Sequence, residues 1–364
     1  MLKKKLGDIN MSKKQKNKVN KTVTLKKICK YILLTSVITI VSTPFTLLYG
    51  PFENAKKTYV GSAMSSMTHQ WLATAFLSQE KIDKILNMDE KDSVEDNNMN
   101  VEESNLIEIP ESKDSSIELK EISDENHKFK GYVLIVKDPT RVRVGVSSKL
   151  FKEGEAVSTI AENYDAIAAI NGGYFTDEAG TEKWTSNGGI PTGFLMVDGE
   201  ILNGLDSEYV SPILAITKEG RLLIGETTVS KLLSPKEDDK DTIVDAISYV
   251  TTLVKNGREV SIPKDEGTAP KTMIGQRNNG EIVLVVLDSN LPGGRICATL
   301  KEAQKVMIDL GCYNAVNLDG GKSTTMYYDG EIINSPSYIA LKRPIPAYTI
   351  QNILSAEVFP SPLP

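Results

Sequence analysis

No residue between Tyr31 and Phe52 carries a charge. Eleven lysines and one acid, Asp8, precede that stretch in residues 1–30. Fourteen acids and three lysines follow it in residues 89–126. This order of charge divides the chain into a membrane-facing part and a water-facing part. Twenty-two uncharged residues are enough to cross a bilayer as one helix. Lysines on one flank only place the N-terminus in the cytoplasm and the bulk of the chain outside. A cleaved signal peptide is the competing reading. Its basic region would be unusually long, and the small-x-small run Gly61-Ser62-Ala63 lies well beyond the apolar core. A retained single-pass signal-anchor is therefore expected. The basic tail then belongs to the membrane, and no nucleic-acid partner is expected.

Five segments follow from composition. Residues 1–30 are a basic cytoplasmic tail, and 31–52 a transmembrane helix. Residues 53–88 form an amphipathic neck helix, because Met64, Met67, Trp71, Ala75, Ile82 and Ile85 recur near helical spacing. Such a helix oligomerises, lies on the membrane, or packs as a stalk on its own domain. Residues 89–127 are an acidic linker with too few large apolar groups to order itself. Residues 128–358 are the folded domain.

That domain reads as α+β, a mixed β-sheet with packed helices. Gly131–Val136 and Arg141–Val146 are predicted to pair around Asp138-Pro139. A helix is predicted over Ala156–Tyr164, then a buried strand over Ala166–Ile170. Short strands continue through Thr192–Asn203, Ile213–Ile224 and Ile243–Val254. Glu281–Asp288 is a strongly apolar strand. Thr299 and Glu302 form a capping box for the following helix, and Gly311 ends it. The next strand leads to Asp319. If the two strands are parallel neighbours, Asp288 and Asp319 face one crevice at their carboxyl ends.

Much chemistry is excluded. The two histidines, His69 and His127, both precede the domain. It therefore lacks an imidazole for Ser-His-Asp or Cys-His catalysis and for ordinary zinc sites. Cys297 and Cys312 flank a helix about 18 Å long and are not expected to pair. No cofactor is implied. An oxygen-ligated Ca²⁺ or Mg²⁺ stays open, and no spaced ligand motif marks one.

The run Asn317-Leu318-Asp319-Gly320-Gly321-Lys322-Ser323-Thr324-Thr325-Met326 carries the chemistry. A buried strand delivers Asp319 to a double glycine, whose backbone can form an anion-binding nest. A P-loop is the alternative and is not expected, because Val316 stands where its first glycine belongs and Met326–Ile333 reads as strand, turn, strand. Asn171-Gly172-Gly173-Tyr174-Phe175 forms a second glycine turn at a strand end. Glycine-rich backbone with aromatics beside carboxylates suits a sugar.

Here the sequence resembles the phosphodiester glycosidase family. Ala169–Phe175, Pro270-Lys271-Thr272-Met273-Ile274-Gly275, Asn317–Met326 and Lys342-Arg343-Pro344-Ile345-Pro346 are similar to its motifs, in order. Lys271 stands where the family has arginine, and Lys322 where it has a third glycine. The resemblance implies hydrolysis of a sugar-1-phosphodiester of the N-acetylglucosamine type, in a membrane-anchored bacterial member associated with exopolysaccharide. The partner it implies is a carbohydrate or sugar-phosphate substrate, and the neck allows a homo-oligomer. Asp319 is the expected catalytic carboxylate, with Asp288 second. Lys271, Arg277, Lys322 and Arg343 are the expected phosphate clamp. Asn171, Gly172, Gly173, Gly320, Gly321 and Ser323 complete the expected substrate contacts. A non-catalytic glycan-binding scaffold using the same cleft is the alternative.

Overall fold

The computed structural model describes residues 27, 29–39, 42–64, 70–85, 98–99, 106–110, 114–125, 128–176, 189–204, 208–235, 238–249, 251–262, 268–290, 297–335 and 347–351. The chain divides into two compact units, Met1–Met64 with His69–Asp89 and Ser65–Thr68 with Glu90–Pro364.

In the first unit, helix α1 (Cys29–Tyr49) is long and apolar enough to cross a membrane, a test that an N-terminal signal sequence also passes. Gly50 closes it, donating its N–H to the Thr46 carbonyl at 2.9 Å. Three short helices follow: α2 (Glu53–Met64), α3 (Trp71–Thr74) and α4 (Gln79–Ile85). The single neck helix expected over 53–88 is thus replaced by a folded cluster. The reason is packing. Leu48, Val60, Ala63, Ala73, Leu77 and Ile82 bury one another, which a straight helix cannot do.

The second unit is rich in sheet. Its strands are β1 (Ile117–Ser123), β2 (Phe129–Val136), β3 (Val142–Gly145), β4 (Ala166–Asn171), β5 (Phe175–Thr176), β6 (Ile190–Pro191), β7 (Leu195–Val197), β8 (Glu200–Asn203), β9 (Ser211–Thr217) and β10 (Leu222–Thr227). They continue as β11 (Ile243–Ser248), β12 (Thr251–Lys255), β13 (Arg258–Glu259), β14 (Lys271–Arg277), β15 (Ile282–Ser289), β16 (Cys312–Asn317), β17 (Met326–Tyr328), β18 (Glu331–Ile332) and β19 (Ala347–Gln351). Helices α5 (Val157–Asn163), α6 (Val229–Leu232) and α7 (Leu300–Asp309) lie between them. A seven-stranded sheet has the order β1-β2-β15-β14-β16-β12-β13. Two five-stranded sheets run β10-β9-β11-β7-β8 and β18-β17-β4-β19-β3.

Side-chain alternation explains how the layers stack. Leu134, Val136, Leu284, Val286 and Val316 of the large sheet share a buried cluster with Ile170, Val144, Leu214 and Leu195 of the other two sheets. Their neighbours Val133, Ile135, Val283, Val285 and Ala315 point the other way, onto Leu300, Ala303 and Met307 of α7. Both faces of β15 are therefore buried, which is why it reads as a continuous apolar run. The α7 capping box forms as expected, and Gly311 closes the helix at φ +78°. Gly275 permits the close approach of α7, because a Cβ there would meet the Met307 Cε at 2.9 Å and the Asn314 carbonyl at 2.7 Å.

Three expectations are corrected. β15 and β16 are not neighbours; β14 lies between them, antiparallel to both, so they run parallel at one remove. β2 and β3 do not pair: β2 joins the large sheet, whereas β3 pairs with β19. The acidic linker ends earlier than 127, since Ile117–Ser123 is the edge strand β1 on β2. Its charges suit an edge, where they discourage pairing with other chains.

Candidate active site

The connection from β16 to β17 assembles the site. β16 lies in the large sheet, and β17 lies in the third sheet beside β4, with Met326 opposite Ile170. Residues 318–325 therefore pass from one sheet to the other. The β4 end, which carries Asn171, is brought to the same place.

Asn171 is completely buried and pins the three motifs together. Its side-chain amide donates to the Asp319 carbonyl at 2.7 Å. Its side-chain oxygen accepts from the Thr272 hydroxyl at 2.7 Å and from the Thr325 N–H at 3.0 Å. The Asp319 N–H in turn donates to the Gly172 carbonyl at 3.1 Å, and the Leu318 N–H to the Thr272 carbonyl at 2.8 Å. The main chain of Asp319 is thus held on both sides. Asn171 positions Asp319, with its side chain buried and bonded within the protein where a substrate contact was expected.

The glycines divide in the same way. The Gly321 N–H donates to the Pro270 carbonyl at 2.8 Å, so it is not the anion donor expected of it. A Cβ on Gly320 would lie 2.7 Å from that same carbonyl. The bare backbone here serves contact between two chain segments. Gly173 packs at the same turn, where a Cβ would meet the Ser248 carbonyl at 3.1 Å. Ser323 is buried in a short 3₁₀ turn (Gly321–Ser323), and its carbonyl accepts from the Thr325 hydroxyl.

Asp288 is buried and engaged. Its two oxygens accept from the Asn334 side-chain amide at 3.1 Å and the Ser335 N–H at 2.6 Å. Asn334 also donates to the Thr324 carbonyl and accepts from the Met326 N–H. Asp288 therefore clamps the segment after Asp319, in place of the second catalytic role expected. Lys271 starts β14 opposite Leu287 and is buried. Burial pushes the Cys297 thiol up to about 12, with the Asp288 charge adding and the Lys271 charge opposing.

The remaining cations separate. Lys322 is exposed beside Asp319 in sequence. Arg277 sits at the opposite end of β14 from Lys271 and donates to the Leu310 carbonyl at 2.7 Å and to Glu281 at 2.8 Å. It belongs to a structural ion pair rather than to a phosphate clamp. Arg343 lies outside the described residues. Among the described residues no group of three or more His, Cys, Asp or Glu side chains gathers as a metal site.

Sequence reasoning missed Asn317, Thr272, Thr324, Thr325 and Asn334 as individual contributors. Asn317 Oδ1 and Thr324 Oγ1 are buried without a hydrogen-bond partner. Each such atom costs about 1–3 kcal/mol unless a water or ligand meets it. They bracket Asp319 in the chain.

The chain is similar to several known proteins. The profile of the phosphodiester glycosidase family matches residues 164–350. An SPbeta prophage-derived uncharacterized protein of Bacillus subtilis, YomE, is 24% identical over 211 residues, covering 55% of this chain and 29% of YomE. The N-acetylglucosamine-1-phosphodiester alpha-N-acetylglucosaminidase of Bos taurus is 25% identical over 203 residues, covering 51% of this chain and 36% of the bovine protein. The chain thus spans about a third of the length of these relatives. The catalytic domain of the zebrafish enzyme of the same name, auto-inhibited by its pro-peptide, superimposes with a TM-score of 0.54 at 21% identity, covering 67% of this chain and 86% of that domain. With more than half of its length matched by the family profile, and with that profile spanning both glycine turns of the site, this chain belongs to the phosphodiester glycosidase family.

Proposed function

We propose that the chain is a hydrolase that cleaves sugar-1-phosphodiesters at the anomeric carbon. The meeting of the Asn171 and Asp319 turns carries this reading, since it fixes a carboxylate at a sheet edge that also holds Lys271. In the step, water oxygen bonds to the anomeric carbon while the bond from that carbon to the phosphate oxygen breaks. The phosphate leaves as a stable anion, so the site needs charge neutralisation more than a strong acid. Asp319 faces the oxocarbenium-like centre or takes the proton of the attacking water. Lys271 and Lys322 neutralise the phosphate. Lysine brings charge without arginine's bidentate fork, which loosens the choice of phosphate partner. Asn317 Oδ1, an acceptor only, suits a sugar hydroxyl.

The same reading places the domain outside the cell, anchored by α1, acting on cell-surface glycan or exopolysaccharide. The length of α1 and the lysines on its N-terminal side support this.

The test uses the detergent-solubilised full chain with UDP-N-acetylglucosamine and an aryl phosphodiester of the same sugar. Turnover is expected, and Asp319→Asn is expected to slow it by about 10²–10⁴-fold without loss of folding. Turnover untouched by that substitution removes the assignment. Glycan binding without any turnover makes the chain a scaffold instead.

A further inference from the structure

The end of α1 is built into a folded core. Leu48, its penultimate residue, is buried with Val60 and Ala63 of α2, Ala73 of α3, and Leu77 and Ile82. The Tyr49 hydroxyl donates to the Phe76 carbonyl at 2.6 Å. The Phe45 and Phe76 rings meet edge to face at 5.6 Å, and the Lys81 ammonium lies 5.6 Å from the Tyr49 ring centroid. The small-x-small run Gly61-Ser62-Ala63 lies inside α2, with Ala63 buried.

The outside of this unit has the opposite character. Along α1, Tyr31, Ile32, Leu33, Leu34, Val37 and Ile38 are all at least half exposed. Water does not tolerate such a face on a stable monomer, whereas hydrocarbon does. At 21 residues the helix spans about 31 Å, close to the thickness of a bilayer's hydrocarbon. Three of its hydroxyls bond back to its own main chain: Thr35 donates to the Tyr31 carbonyl, and Ser42 and Thr43 to the Thr39 carbonyl. Aromatic residues collect where α1 ends, with Phe45, Tyr49, Phe52 and Trp71 each about half exposed on the same unit. Such rings favour the boundary between headgroup and acyl chain.

We infer that α2, α3 and α4 form an interfacial collar around the outer end of α1, seated on the lipid surface through Phe52 and Trp71. This rests on the proposal that α1 spans the bilayer and adds what keeps it there. The collar makes the last turn of α1 part of a folded core, so that the helix is retained.

Two measurements on the full chain test the inference. Trp184→Phe leaves Trp71 as the one tryptophan. Reconstituted in phosphatidylcholine vesicles with acyl chains brominated near the headgroup, Trp71 emission is expected to shift to shorter wavelength and to be quenched. Water-like, unquenched emission from a chain that still resists carbonate extraction overturns the collar and leaves the anchor standing. An intact mass showing loss of about the first 50 residues overturns both. In the second measurement, Leu48→Ala is expected to speed protease cleavage within residues 70–85 by roughly tenfold or more, since it opens the core that holds α3 and α4. Unchanged cleavage there shows that the end of α1 does not hold the collar, and overturns the inference.

Discussion

The side-chain amide of Asn171 donates to the main-chain carbonyl of Asp319 across 148 residues of sequence. One buried side chain thereby positions the carboxylate to which chemistry is assigned. Asn171→Ala removes three buried hydrogen bonds and leaves their partners unmet. It is expected to destabilise the domain by about 2–4 kcal/mol. At temperatures where the variant stays folded, kcat is expected to fall roughly 10²-fold with KM little changed. Denaturant melts and steady-state kinetics check the two limbs, and a variant with normal kcat sinks the positioning role.

Gly320→Ala should act through crowding. The added methyl meets the Pro270 carbonyl, which already accepts from Gly321. A loss of about 1–3 kcal/mol is expected, together with a loss of turnover because Asp319 must shift. Gly330, at φ +89° in the β17–β18 hairpin, has open space around its Cβ position. Gly330→Ala is expected to cost about 1–2 kcal/mol from backbone strain alone, with turnover intact. Equal effects of the two substitutions on turnover would contradict the crowding account.

Asp245 is fully buried and joins two sheets. It accepts from the Arg143 guanidinium at 2.5 Å, from the Val144 N–H at 3.1 Å and from the Asp198 N–H at 2.8 Å. Asp245→Ala removes the fully buried partner of the largely buried Arg143, which keeps Asp198 at 3.0 Å, and should cost about 2–3 kcal/mol. Arg143→Leu with Asp245→Ala should cost less than the sum of the single changes, as measured by a double-mutant cycle. Strict additivity would show that the pair is not coupled.

Glu281 gives a pH signature. Burial pushes its carboxyl up, but hydrogen bonds from Lys137, Arg277 and Asn279 outweigh that, and the net displacement is below the ordinary 4.5. A depressed folded value means that the ionised form stabilises the fold above the unfolded value. That contribution is lost as pH falls through the folded value. The stability gap between the native chain and Glu281→Gln should therefore be full at neutral pH and shrink well below about pH 4.5. Urea titrations over that range decide it; a gap that persists undiminished in acid refutes the ion pair's role.

Local signals in the sequence were dependable where one element explains itself. Thr299, Glu302 and Gly311 bound α7 as read, and Asn317–Met326 delivers Asp319 to a turn as read. The misreadings concern partners far along the chain. Arg141–Val146 looked like the mate of the preceding strand, yet β3 pairs with β19, about 200 residues away. Arg277 carries the right charge for phosphate, but the length of β14 takes it to the wrong end of the sheet. Asp288 sits at the expected edge with its oxygens already taken by Asn334 and Ser335. Composition misjudged β1, because an edge strand and a charged spacer share the same residues.

The pin between Asn171 and Asp319 has a consequence for biosynthesis. A nascent chain that has exposed β4 but not yet Asp319 has neither of the strands that flank β4 nor the carbonyl for Asn171. The last of the three hydrogen bonds of Asn171 must therefore await a chain that has emerged as far as Thr325. A chain that stalls before Asp319 leaves the Asn171 side chain with at most Thr272 of its three partners.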